Sequence, residues 1–357
     1  MKKSRFMKGL TCILALLVLA CFFGCSSSSN SSDPEVTVQG TVVDPIIAGS
    51  TYTYNANGRV ITGKANDNGN YKFKLKLNEI NDLEPIVFMG GIHKATGKKL
   101  KGKLKTLIKK SKVKNNVCNS IASFVTTLAV NSGEDKVKTA FGIEDVDDIF
   151  SFNHTKEANN GSASGIKVQK LNVQVSNTVE STSSLIMGSD STANEDDIFD
   201  SVMDTFSTSI TETTFTSFTD VTFINTFIDN SVQGVVSKNI TTVSQTKIAN
   251  VKSETINFIS AINKEADDAE ASGESAVNII TRLVSSQIVT TTTSTQIRTA
   301  ASTGSASSIS QIMTTTNTVS TVVSQTINQV ITSGLTIVDP GTDNIDEGSG
   351  SSGGTDV

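Results

Sequence analysis

His154 and Glu157, in His154-Thr155-Lys156-Glu157, have the His-x-x-Glu spacing that supplies half of a hydrolytic zinc site. Such a site needs at least a third protein ligand, usually another histidine. No histidine follows His154, and the only other one, His93, lies far upstream, so no metal centre and no cofactor are expected. Gly161-Ser162-Ala163-Ser164-Gly165 has the outline of a nucleophile elbow but lacks the apolar strand-to-helix setting that exposes the serine, and it reads as a flexible loop. A Gly-x-x-x-x-Gly-Lys-Ser/Thr phosphate loop is absent from the sequence. Two acidic segments echo each other, Glu144 to Phe150 and Glu195 to Asp200. Acids ahead of an apolar pair suit helix N-termini, where they complement the macrodipole, and the spacing lacks the alternating ligands and central glycine of a calcium loop. The expectation is a protein that is not an enzyme.

Charge is the next source of chemistry. The net charge is -5, yet from Lys94 to Lys114 every charged residue is a lysine. Lys99, Lys101, Lys103 and Lys105 form the candidate anion-binding set, since a cluster of one sign attracts anionic glycans or lipid headgroups. The alternative is a solvated strand face, because Lys101, Lys103 and Lys105 alternate with Gly102 and Leu104. Nucleic acid is not an expected partner. Three of the four cysteines precede residue 26, which leaves Cys118 as the one thiol further on and excludes an intramolecular disulfide framework there. Cys118 flanks Val117, Ile121, Val125 and Leu128, an apolar series at helical spacing, so a buried structural cysteine on a helix is expected.

The N-terminus, with Lys2, Lys3, Arg5 and Lys8 ahead of the apolar run Leu10 to Gly24, has the plan of a secretory signal. A spanning helix needs about 20 apolar residues. This run is shorter and opens into the polar stretch Ser26 to Ser32, which suits a solvated tether. A small residue just before a cysteine, in Phe22-Phe23-Gly24-Cys25, resembles the lipobox of bacterial lipoproteins; Val18-Leu19-Ala20-Cys21 is the alternative. The resemblance implies acylation of Cys25, or of Cys21, and an exported chain held at the outer membrane or cell surface. More than one acyl chain makes such anchoring stable.

Between residues 35 and 90 apolar residues alternate with polar ones, each run closed by turn residues. Val36, Val38, Gly40 and Val42 share a face; Tyr71, Phe73, Leu75 and Leu77 point inward past three lysines; Ile86 to Met89 suits a strand buried on both sides. Asn55 to Gly58 and Asn66 to Asn70 supply hairpin turns. Val38 to Asp44, Ile47 to Ser50 and Asp67 to Phe73 resemble the carboxypeptidase regulatory-like, prealbumin-type β-sandwich of bacterial surface proteins. That resemblance implies a non-catalytic spacer or binding platform. From about Asn115 the period becomes 3.6: Phe218, Val221, Ile224 or Asn225, Ile228, Val232 and Val235 mark one apolar face, and Ile240 to Ile262 and Ile309 to Val330 carry others. The polar faces are expected to hold the abundant serines and threonines, with Thr290 to Thr293 a β-friendly run. Asn115 to Met187 also resembles the helical segment that follows such a sandwich in bacterial surface lipoproteins. The expected fold is α+β: a signal peptide over 1–24, a tether over 25–34, an Ig-like sandwich over 35–114, a Thr/Ser-rich helical bundle over 115–335 and a Gly/Ser tail over 336–357. The expected role is a surface lipoprotein in adhesion, assembly or envelope scaffolding, partnered by the membrane and by a surface protein or anionic glycan, with anion capture through Lys94 to Lys114 as the alternative.

Overall fold

Strand β1 (Glu35–Val42) buries Val36, Val38 and Val42 on its inner side, as their alternation predicts. It pairs antiparallel with β5 (Asn70–Lys76) and parallel with β9 (Val117–Ala122), giving the order β5-β1-β9. A second sheet has the order β4-β3-β6-β8, built from β3 (Thr51–Ala56), β4 (Arg59–Lys64), β6 (Ile86–Met89) and β8 (Lys103–Thr106), all antiparallel. A short pair, β2 (Ile47–Ala48) and β7 (Ile92–His93), stands beside them. Tyr52 of β3 stacks on Phe73 of β5, with ring centroids 5.4 Å apart, and Phe88 of β6 meets Tyr71 at 4.7 Å, so the two larger sheets face each other across an aromatic layer. Turn chemistry agrees with the sequence: Asn57 and Gly58 both take positive φ between β3 and β4.

The computed structural model describes residues 33–44, 46–190, 192–307, 309–310 and 318–333. The signal peptide, Cys21, Cys25, nearly all of the tether, and the tail lie outside the described residues. By its contacts the chain divides into Met1–Pro34 and Glu35–Val357, and the second unit holds both strands and helices. Among the described residues nine α-helices follow the strands: α1 (Phe124–Ser132), α2 (Glu134–Phe141), α3 (His154–Asn159), α4 (Ala163–Ser189), α5 (Glu195–Thr211), α6 (Val221–Ser237), α7 (Gln245–Ala271), α8 (Ala276–Thr303) and α9 (Val319–Ser333). None of the described helices is long and apolar enough to cross a membrane.

Several expectations are corrected. Val117 to Ala122 is a strand, so Cys118 is buried in a sheet and not on a helix. The helical spacing of Val117, Ile121, Val125 and Leu128 arises because β9 runs into α1 through the single capping residue Ser123, whose hydroxyl accepts from the Thr126 amide. The sandwich therefore ends at Ala122 and not at Lys114. Ile86 to Met89 is buried on one face only, with Met89 exposed at the sheet surface, and Leu77 opens a turn of 3-10 helix, half-buried. Val221, half exposed at the first turn of α6, falls outside the buried stripe that begins at Phe223 and Ile224. Glu144 to Phe150 forms a loop and no helix; its Asp148 pairs with Lys109, which also holds Glu134. Gly161 to Gly165 is no flexible loop either, since Ser162 caps α4 and a Cβ at Gly165 would lie 2.4 Å from the backbone nitrogen of Ala158 in α3.

The largest departure concerns the hydroxyl residues. Helix α4 is buried on all sides from Leu171 to Val179 and again from Ser181 to Ser189, and its interior includes Ser176, Thr178, Ser181, Thr182, Ser183 and Ser184. The facing α8 buries Thr281, Ser285, Ser286, Thr290, Thr293 and Ser294, and Thr290 to Thr293 is helical throughout. Small side chains let the two helices approach closely: a Cβ at Gly188 would lie 2.3 Å from the Arg298 carbonyl oxygen. Part of this polarity closes on itself. Asn263 of α7 donates to Thr178, Thr290 donates to Asn177, and Gln174 donates to Asp267.

Candidate functional site

Helical spacing places Ser176, Glu180 and Ser184 in one row along α4, each four residues from the next. Thr291, Ser294, Thr295 and Arg298 form a matching row on α8. These rows, the first turns of α5 and the loop from His93 to Lys101 enclose a cavity of about 540 Å³, within the range of small-molecule sites. The sandwich contributes Asp44, just beyond β1, together with His93, Lys98, Lys99, Leu100 and Lys101. Phe124 and Phe199, 5.9 Å apart, give the lining an apolar side.

The loop is held by the acids of α5. The carboxylate of Asp196 accepts from the Gly102 amide at 2.8 Å and pairs with Lys99 at 3.4 Å, while Asp200 accepts from the Lys103 amide and pairs with its ammonium at 2.9 Å. Gly102 has φ +65°, and a Cβ there would lie 2.6 Å from the Phe199 ring, so glycine is what allows this approach. Glu195 pairs with Arg298 of α8. The acidic echo thus forms a helix N-terminus only in its second copy, where Asn194 caps α5 and the acids serve the sandwich and α8 as well as the helix.

Two carboxyls inside the seam are shifted upward. Burial raises Asp44 well above the usual carboxylate range, against the pull of Gln287, Ser176 and Asn172, which all donate to it. The same Asn172 accepts from the Phe124 amide at the start of α1, so Asp44 and Asn172 join β1, α1, α4 and α8. Burial also raises Glu180, outweighing Lys101 at 3.9 Å and a hydrogen bond from Thr291 at 3.3 Å. His93, whose Nδ1 accepts from the Thr96 amide, is driven by burial down to about 4 and is neutral near pH 7, which leaves its proton on Nε2. The buried Ser294 hydroxyl has no hydrogen-bond partner among the described residues.

Of the four lysines proposed as an anion-binding set, Lys99 and Lys101 reach the cavity and Lys103 and Lys105 do not; Lys105 donates to Asn131 at 3.0 Å. Lys99, Lys101 and Lys103 face carboxylates of α4 and α5. His154 is buried under α4, with Nδ1 2.8 Å from Gln169 Oε1, and Glu157 does not join it in a metal-binding group: no three His, Cys, Asp or Glu side chains among the described residues form one.

Glu180, Asp44 and Arg298 do not stand out in the sequence as chemistry, although a signal for two of them exists. Glu180 is the only charged residue between Leu171 and Ser189, and Arg298 the only one between Leu283 and Thr303. A lone charge in a long uncharged helix marks a side chain with a destination, and both reach this cavity. Comparison with known proteins finds no match among family models, curated proteins or solved structures.

Proposed function

We propose that this chain is an exported, lipid-anchored, non-enzymatic surface protein whose folded unit captures a small polar ligand in the cavity between strands and helices, and so serves adhesion or envelope assembly. The cavity carries the reading: it combines concavity, an apolar side and shifted carboxyls, the features of small-molecule sites, and Ser294 in its lining is one of the buried hydroxyls with no hydrogen-bond partner among the described residues. The sandwich is of the carboxypeptidase regulatory-like kind in this proposal and acts as a platform, a role supported by how its loop from His93 to Lys101 forms one wall of the cavity. Anchoring rests on the N-terminal cationic and apolar pattern and on Cys25, with Cys21 as the alternative. Capture moves from the lysine run to the cavity because Lys99, Lys101 and Lys103 already face internal carboxylates.

Two measurements test this on the full chain extracted from membranes. Mass spectrometry of the mature N-terminus is expected to find an acylated Cys25 or Cys21; an unmodified Met1 would remove the anchor. Thermal-shift screening against a library of polar metabolites is expected to give at least one stabilising compound, since a ligand at 100 times its Kd stabilises by about 2.7 kcal/mol. A flat screen at millimolar concentrations would remove the capture role.

A further inference from the structure

We infer that the seam cavity is built for a neutral polyhydroxyl ligand, a monosaccharide or disaccharide, held by Glu180 and Ser294 against the Phe199 ring. The inference rests on the capture reading above and specifies its ligand. Charge balance is the first argument. Of the four cations in the lining, Lys99, Lys101 and Arg298 are paired in turn with Asp196, Glu180 and Glu195, so a charged ligand at any of these pairs would have to displace an existing partner, and Lys98 alone has no ion pair among the described residues. A hydroxyl needs no such exchange, because it donates to a carboxylate and accepts from a neighbouring group at the same time.

The groups with spare capacity have that same chemistry. Glu180 Oε2 accepts only a 3.3 Å hydrogen bond from Thr291 and its other oxygen stands 3.9 Å from Lys101, which leaves lone pairs for ligand hydroxyls. The hydroxyl of Ser294, 3% exposed, is a desolvated donor and acceptor with no partner among the described residues, a cost that a bound hydroxyl removes. On the sandwich side the neutral His93 ring carries its proton on the nitrogen not used by Thr96 and is a donor without charge. The apolar lining from Phe124 and Phe199 matches the C–H face of a pyranose, which is the apolar side of an otherwise polar molecule.

Isothermal titration of the full chain with glucose, N-acetylglucosamine and maltose, and with glucuronate, glucosamine and glutamine as anionic, cationic and zwitterionic probes, tests this. At least one neutral sugar is expected to bind with Kd below about 1 mM. Glu180→Gln and Ser294→Ala are each expected to weaken it at least about fivefold, and Phe199→Leu about threefold, with unchanged circular dichroism. The distant, exposed Lys264→Ala is expected to leave binding unchanged. Binding of the charged or zwitterionic probes alone would overturn the ligand class while leaving capture in place. Sugar binding that Glu180→Gln and Ser294→Ala both leave intact would overturn the site. Silence of the sugars beside a hit from the metabolite library overturns the inference only, and silence of both overturns capture as well.

Discussion

Gly40 of β1 lies in register between Tyr71 and Ser120, and a Cβ there would lie 1.6 Å from the Ser120 carbonyl oxygen of β9 and 3.0 Å from the Tyr71 hydroxyl. Gly40→Ala is therefore expected to break the parallel pairing of β1 and β9 and to destabilise the fold by about 3 kcal/mol or more, read as a shift in the urea midpoint. Gly58 has φ +95°, and a Cβ added there would meet nothing within 4 Å, so Gly58→Ala is expected to cost only about 1 kcal/mol, the backbone strain alone. The histidines make a second prediction. Burial lowers both His93 and His154 to about 4, below their unfolded value near 6.5, so between those limits the unfolded chain binds more protons. Their contribution is complete above about pH 6.5 and is lost as pH falls toward 4, by up to about 3 kcal/mol each. Asp44 acts with the opposite sign: its folded carboxyl is raised above 3.8, so stability declines as pH rises through the folded value. Asp44→Asn, which keeps the shape, is expected to remove that decline in urea titrations run upward from about pH 4; an unaltered pH profile would show that Asp44 is not shifted.

At the scale of elements, Lys109 ties the end of the sandwich to the helices. Its ammonium lies 2.5 Å from Glu134, 2.8 Å from Asp148 and 5.0 Å from the centre of the Phe150 ring, and Asp148 is almost wholly buried. Lys109→Met is expected to strand the buried Asp148 carboxylate, while Glu134 keeps Lys138 at 2.9 Å and the Ile149 amide, and to cost about 3 kcal/mol at pH 7. That element is half legible in the sequence: the acids are visible, but their loop reads as a helix start because similar letters form the first turn of α5. Alternation reveals the inward faces of β1 and β5, and the 3.6 period reveals α6 and α7, because burial on one side leaves a readable stripe. It fails at β9, where six residues next to a helix carry no clean alternation, and at α4 and α8, where burial all round erases the stripe. The cavity is hidden for the same reason. Its walls are polar residues at helical spacing, the pattern that ordinarily marks a solvated face.

For the whole molecule, strands and helices from Glu35 onward share one unit, joined by Asp44, by Asn172 and by the acids of α5. Calorimetry is expected to show one transition with equal calorimetric and van't Hoff enthalpies, in place of separate melting of a sandwich and a bundle. Two resolved transitions would mean that this seam does not couple them. The crowding of serine and threonine between α4 and α8 has one more consequence. An interior filled with hydroxyls and backbone hides less hydrocarbon per residue than one built of leucine and phenylalanine, and hydration of newly exposed hydrocarbon sets the heat capacity of unfolding. The increment is thus expected below the usual range of about 12–15 cal/mol/K per residue, which flattens the stability curve and makes the protein resistant to cold.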